Sequence, residues 1–390
     1  MKAFRWLMIA AGVLALTVHA ASAQDKIKIG LIYTLSGPPA ALGTQSKNGF
    51  ELAVKELGGK MAGKEVELIV ADDELKPDLA IQKVRGFIER DNVDFVVGPI
   101  FSNVLVAIHK PVMDAGKILI STNAGTSNFA GAGCSPGFYV TSYQNDQIFE
   151  AIGEASNKAK FGKVYALLPN YPAGRDALTG FKRTFKGQLV EESFVPLNTT
   201  DFQPEIAKIR AANPDALFTF MPGGLGINLL KTFNQAALKD KVPVISAFTA
   251  DEATLPALQD AAVGVLGVLT WAPNMDNPQN KKFVSEYEKA YNAVPASYAM
   301  QAYDAAMLIN SAVVAVKGDL KDQKAVNAAL QKADFKSVRG PFKFNANGFP
   351  IEDFYLTKVA KRADGKYETQ IVEKVFSDHP DPYVKDCKGR

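Results

Sequence analysis

From Ile27 onward the chain alternates short apolar runs with longer amphipathic ones, and this alternation limits the available folds more than any other feature. Strands that read as unbroken apolar runs are buried on both faces, which requires a parallel sheet covered by helices on either side. Runs at 27–33, 66–71, 95–97 and 118–121 predict strands, and the stretches 44–57, 77–90 and 103–115 between them predict helices, the second with Pro77 at its start. After Tyr139-Val140-Thr141-Ser142 the pattern restarts, with strands at 164–168, 189–194, 217–220 and 244–246 and helices at 147–158, 175–185, 204–211 and 226–237. A strand at 265–270 precedes a helix-rich stretch, 278–330, whose long member at 297–316 is apolar enough to be buried. The period then changes to two: Pro341-Phe342-Lys343-Phe344, the turn Asn347-Gly348 and 353–359 read as a hairpin, and 367–375 adds a last strand. At 390 residues the chain exceeds one comfortable core. Two α/β lobes that share the chain without a flexible linker, crossing at a hinge, are therefore expected.

Ahead of the first strand, Lys2 and Arg5 precede an apolar run from Trp6 to Val18, and Ala21-Ser22-Ala23 stand just before Gln24. That run is shorter than the roughly 18–20 residues a bilayer requires, so residues 1–23 read as a cleaved export signal. No later segment is long and apolar enough to span a membrane. The formal charge of +3 includes both signal cations, and the remaining basic residues are interspersed with acids rather than gathered in a stripe, which argues against nucleic acid. Cys134 and Cys387 would meet an oxidising compartment; a disulfide is the expected outcome, two independent thiols the alternative. Beyond the signal only His109 and His379 remain, which removes a histidine-built metal site or triad.

Catalytic motifs fail on inspection. Gly224-Leu225-Gly226 lies where nucleotide-binding loops sit, but Leu229 stands in place of the third glycine. No Walker loop, HExxH or GxSxG is present, so neither enzyme activity nor a cofactor is expected. Asp72-Asp73-Glu74 matches a strand-end turn better than a calcium loop. What remains is small and polar: Ser102-Asn103 and Thr122-Asn123-Ala124-Gly125-Thr126-Ser127, each at the carboxyl end of a predicted strand of the first sheet. Hydroxyls and unpaired N–H groups at a helix start favour an anion such as a carboxylate, although either loop alone reads equally well as ordinary capping.

With these pieces in order, the chain resembles the periplasmic solute-binding proteins of branched-chain amino acid type ABC transporters, the type I bilobal group. The match runs through Ile27-Lys28-Ile29-Gly30, Leu35-Ser36-Gly37-Pro38 with Leu42-Gly43, Asp72-Asp73, Val96-Val97-Gly98-Pro99, 118–126, Tyr303-Asp304-Ala305, and Gly340-Pro341-Phe342 with Asn347-Gly348. The resemblance implies two doubly wound α/β/α lobes joined by a hinge of three crossovers, closing on a small solute that a membrane permease then receives. By analogy lobe one is 24–143 plus 272–356, lobe two 144–271 plus 357–376, and 377–390 a tail, in a periplasmic monomer. Family ligand contacts fall on Ser102, Ala124 and Thr126, with Asn123 and Gly125 in the same loop, and family aromatics fall on Tyr171 and Tyr298.

The departures from the pattern carry the ligand expectation. Amino-acid binders of this group place a glutamate after a second-lobe strand to meet the ligand's ammonium, and Phe248 stands there. A family tyrosine becomes Pro222, beside Met221, and the family's aromatic near the first turn becomes Leu42, while Phe101 precedes Ser102. An ammonium buried against Phe248 without a partner would lose several kcal/mol in desolvation. The expected ligand is therefore an aromatic carboxylate, benzoate- or hydroxycinnamate-like. A branched-chain amino acid or amide is the alternative, because a short gap brings Asp251 or Glu252 into the glutamate's place. A signalling receptor or an exported enzyme are more distant readings.

Overall fold

The computed structural model describes residues 26–390; the expected export signal lies outside them. The first sheet has the order β2-β3-β1-β4-β5-β6. Its strands are β1 (Ile27–Tyr33), β2 (Lys60–Met61), β3 (Lys64–Asp72), β4 (Phe95–Val97), β5 (Ile118–Ser121) and β6 (Phe138–Val140). All pairings are parallel except the short β2–β3 ribbon. The helices α1 (Ala40–Glu56), α2 (Pro77–Glu89) and α3 (Ser102–Asp114) connect them.

The second sheet repeats the design with β7 (Lys163–Pro169), β8 (Gln188–Val195), β9 (Ala216–Thr219), β10 (Val244–Ser246) and β11 (Leu266–Leu269). Its helices are α4 (Asn145–Lys158), α5 (Pro172–Thr184), α6 (Gln203–Ala212), α7 (Gly224–Gln235) and the one-turn α8 (Leu255–Leu258). After β11 the chain returns to the first lobe as α9 (Pro278–Tyr291), α10 (Ser297–Ala315) and α11 (Gln323–Lys332), with α10 packed along α1. It then forms β12 (Lys343–Phe344), β13 (Pro350–Lys361) and β14 (Tyr367–His379). β13 pairs with β12 at its start, then antiparallel with β11 and β14 of the second sheet. The connections β6–α4 and β11–α9, together with β13, are the three crossings between lobes, giving a type I bilobal α/β fold.

Local differences from the sequence reading have local causes. β6 is a three-residue strand, too short to announce itself, yet it completes the first sheet against β5. Helix α1 begins at Ala40 rather than near Thr44, because the turn around Pro38-Pro39 already sets up helical backbone, so Leu42 and Gly43 lie in its first turn. β14 runs on to His379, beyond the expected end at 375, because β13 offers a partner as far as Glu352. The Cys134–Cys387 disulfide is formed, with Cα atoms 5.6 Å apart. The final segment is fastened further by Tyr383 donating to Asp146 at 2.7 Å and Arg390 donating to the Phe138 carbonyl at 2.8 Å. α10 is buried nearly throughout, as its composition predicted. Among the described residues no helix is long and apolar enough to cross a membrane.

Candidate functional site

The carboxyl ends of β4 and β5 face those of the second sheet across the interlobe cleft. Phe101, extended, precedes the first residue of α3, Ser102, and its side chain has no acceptor with which to cap the helix. The first intrahelical bond runs from Leu105 N–H to the Phe101 carbonyl, so the earlier N–H groups point out of a buried helix end unused. An anion is what such an end accepts best. The neighbouring loop after β5 brings Ala124, Gly125 and Thr126 alongside. Gly125 is required there, since a Cβ would lie 1.8 Å from the Tyr143 carbonyl.

Asn145, the first residue of α4, ties these donors together. Its N–H donates to the Gly125 carbonyl at 2.8 Å and its Oδ1 accepts from Gly125 N–H at 3.1 Å. Its Nδ2 donates to Ser102 Oγ at 3.3 Å and to Asp176 Oδ2 at 2.9 Å. Asp176, on α5 of the second lobe, also accepts from Ser127 Oγ at 2.6 Å and Ser127 N–H at 3.1 Å. The lobes meet at the other rim where Gly224 N–H donates to the Pro38 carbonyl at 3.2 Å. Gly223 sits against Pro39 there with φ +63°, leaving no room for a larger residue.

Against these polar loops lies a chain of aromatic rings. Phe101 is 6.1 Å from Tyr171, Tyr171 is 6.1 Å from Phe220, and Phe220 is 6.4 Å from Phe248. Phe248 stacks on Tyr143 at 5.3 Å and touches Tyr298 at 5.6 Å, while Phe149 backs Phe220 at 5.2 Å. Phe248 has a φ of +54°, a left-handed backbone that disfavours a bulky side chain by about 1–2 kcal/mol, so the surrounding rings hold it there against local preference. The Tyr171 and Tyr298 hydroxyls have no protein partner among the described residues. Burial holds both well above the ordinary phenol range, with nearby Asp251 adding to the effect at Tyr298.

Of the residues expected in the site, Phe101, Ser102, Ala124, Gly125, Thr126, Tyr171, Phe248 and Tyr298 converge on this cleft, and Leu42 is buried in the same core. Asn123 acts on the loops themselves, donating to the Ile100 carbonyl at 2.7 Å and accepting weakly from the Tyr143 hydroxyl at 3.4 Å. The Thr126 hydroxyl donates to Asn128 Oδ1 at 2.8 Å, which leaves its oxygen as an acceptor. Pro222 is at the mouth, lining with Phe101, Pro38 and Leu225 a cavity of about 140 Å³. Met221 is the exception; it packs into the separate core of the second lobe. Sequence reasoning passed over Tyr143, Asn145 and Asp176, and left Phe220 as a strand-end residue. A Tyr-Gln-Asn run just ahead of the helix expected at 147–158 was the only trace of the first two.

Asp251 and Glu252 part company. Glu252 Oε1 accepts from Thr369 N–H and Oγ1, each at 2.7 Å, which turns this side chain toward β14. Burial first, then Asp251, pushes its carboxyl up to about 8. Asp251 is fully buried, accepts from Ala253 N–H at 3.0 Å, and leaves Oδ2 unpaired. Burial raises its carboxyl to about 6.

The sequence matches the model of a family described as periplasmic binding protein over residues 26–366. The chain belongs to the periplasmic binding protein family. A Leu/Ile/Val-binding protein homolog of Brucella melitensis is 30% identical over 389 residues, spanning 97% of this chain and 98% of that one. An R. palustris ABC transporter solute-binding protein in complex with benzoate superimposes with a TM-score of 0.88 at 32% identity, covering 93% of this chain and all of that one. Another from R. palustris, in complex with 4-hydroxybenzoate, gives a TM-score of 0.86 at 30% identity, covering 92% and 99%. Both R. palustris proteins are solute-binding proteins of ABC transporters.

Proposed function

We propose that this periplasmic binding protein is the extracytoplasmic solute receptor of an ABC importer and that its ligand is an aromatic carboxylate of benzoate or hydroxycinnamate type. The observation that carries the reading is Phe248, seated among Tyr143, Phe220 and Tyr298 and reached by the same cleft as the uncapped start of α3. The carboxylate takes the Ser102 hydroxyl and the free N–H groups of α3 and the Thr126 loop; the ring lies among Tyr171, Phe220 and Phe248. The bound ligands of the benzoate and 4-hydroxybenzoate complexes support this chemistry. Closure follows from differential affinity: one lobe supplies the donors, the other most of the rings, and only the closed form offers both. A permease then reads the closed face of a periplasmic monomer, with the hinge dividing 24–143 plus 272–356 from 144–271 plus 357–376.

One observation favours a second reading. Asp251 keeps an unpaired oxygen close enough to Tyr143 and Tyr298 for its charge to raise both hydroxyls after burial does so. It serves as acceptor for a ring hydroxyl in the first reading and for an ammonium in the second, which the Leu/Ile/Val-binding relative also supports. Thermal unfolding with benzoate, 4-hydroxybenzoate and leucine separates them. A ligand at a hundred times its Kd stabilises by about 2.7 kcal/mol, a shift of several degrees. Stabilisation by the aromatic acids and not by leucine is expected; the reverse pattern overturns the proposal.

A further inference from the structure

We infer that Asp176 is a positioning residue that acts through Asn145 on Ser102, so that the grip on the ligand's carboxylate tightens only when the lobes close. The inference rests on the proposed carboxylate site. Asp176 is buried on α5 of the second lobe, and among the described residues no cation pairs with it. Its carboxylate instead takes the Ser127 hydroxyl, the Ser127 N–H and the Asn145 amide, at 2.6, 3.1 and 2.9 Å. Ser127 directly follows Thr126 in the first-lobe loop, so two of the three bonds cross the cleft.

The third bond reaches the ligand site indirectly. Asn145 has one amide nitrogen with two protons; one goes to Asp176 and the other to Ser102 Oγ at 3.3 Å. A carboxylate accepts only, so it fixes which way round the Asn145 amide lies, and the Gly125 N–H bond to Oδ1 agrees with that choice. With its oxygen already accepting, Ser102 turns its own proton elsewhere, toward the unused N–H groups of α3 where an anion would sit. Asp176 and Asn145 stay together on the packed α4–α5 pair when the lobes open, and the bonds that part are Ser127 to Asp176 and Asn145 to Ser102, so opening removes the oriented amide from the serine. Ligand binding and lobe closure are thereby coupled through one hydrogen-bonded relay rather than through the rings alone.

The test uses 4-hydroxybenzoate as probe, stopped-flow dissociation, and interlobe distances from paired spin labels in ligand-free protein. Asp176→Ala should speed dissociation between about ten- and a hundredfold, the loss of a charge-assisted bond. It should also shift the ligand-free distances toward the open form. Asp176→Asn, which keeps one neutral oxygen to accept from Ser127 and the Asn145 amide, should recover part of both. On a Ser102→Ala background the affinity loss caused by Asp176→Ala should shrink to a few-fold; a full-size effect there means Asp176 does not act through Ser102 and overturns the inference. Ser127→Ala removes one crossing bond without touching the α4–α5 packing, and must shift the distances in the same direction. If 4-hydroxybenzoate fails to bind the wild type, the ligand reading fails. The ligand-free distances then decide this inference alone, and unchanged distances in Asp176→Ala refute it.

Discussion

Replacing Phe248 with glutamate puts an acid where the resemblance to amino-acid binders places one, and on the proposed function it should invert the ligand preference. The ring it removes touches Tyr143 at 5.3 Å, Tyr298 at 5.6 Å and Phe220 at 6.4 Å. Aromatic pairs of this kind contribute about 0.5–1.5 kcal/mol each, so the packing loss alone is roughly 1.5–4.5 kcal/mol. The introduced carboxylate adds repulsion of a bound carboxylate: at an effective dielectric of about 20 and a separation of about 8 Å this amounts to ~2 kcal/mol, or about thirtyfold in Kd. Phe248→Gln separates the two effects, since it loses the same ring without gaining charge. Titration calorimetry with benzoate should show F248E binding about thirtyfold more weakly than F248Q near neutral pH, the gap narrowing as the introduced acid protonates. Leucine should gain affinity in F248E only. Equal benzoate affinities for the two variants near neutral pH would refute the argument, because the ligand's carboxylate would then not feel position 248.

Further expectations concern single groups. Ser102→Ala should weaken benzoate binding by about 1.5–3 kcal/mol, and Thr126→Val by clearly less because the Thr126 proton is already donated to Asn128; calorimetry that ranks them in the opposite order would exclude the assignment. The disulfide closes a loop with a sequence separation of 253, for which the chain-entropy model gives about 5.5 kcal/mol as an upper figure. Cys134→Ser should lower the urea midpoint markedly without altering Kd, and an unchanged midpoint would show the loop is restrained by other contacts. Asp251 is raised to about 6 in the folded protein against about 3.8 unfolded. The folded state then holds the extra proton, so stability falls as pH climbs from about 4 to 6 and stays lower above that. Asp251→Asn should remove this fall and stabilise the ligand-free protein at pH 7.5 by up to roughly 3 kcal/mol, read from urea unfolding at pH 4.5 and 7.5.

The periodicities that revealed the two sheets are local quantities. Ile27–Tyr33 or Lys163–Pro169 reads as a buried parallel strand from its own seven residues, and the helices that follow show their apolar faces over a few turns. Short or context-dependent elements were lost for the same reason. Phe138–Val140 is a strand only because Leu119, Ile120 and Ser121 lie beside it. The Pro350–Lys361 strand was legible as half of a hairpin, but its pairing with Leu266–Leu269, which makes it a crossing between lobes, joins segments far apart in the chain.

The site divides along the same line. Sequence by itself determined that Ser102-Asn103 and the loop from Thr122 to Ser127 stand at the carboxyl ends of parallel strands, and, through the family resemblance, that Phe248 stands where amino-acid binders place an acid. Each statement concerns a few adjacent residues. That Ser102 is itself the first helical residue behind Phe101 came from the fold. Only the tertiary structure decided that Phe248 adopts a left-handed backbone among Tyr143, Phe220 and Tyr298, that Met221 turns away into the second core, and that Glu252 is held by Thr369 while Asp251 keeps an oxygen free. Asn145 and Asp176 have no signature of their own. A single amide and a single carboxylate become a relay only when packing brings α4 and α5 against Ser102, Gly125 and Ser127, because hydrogen bonds act over about 3 Å and the chain's local pattern carries no information on which distant groups will come that close.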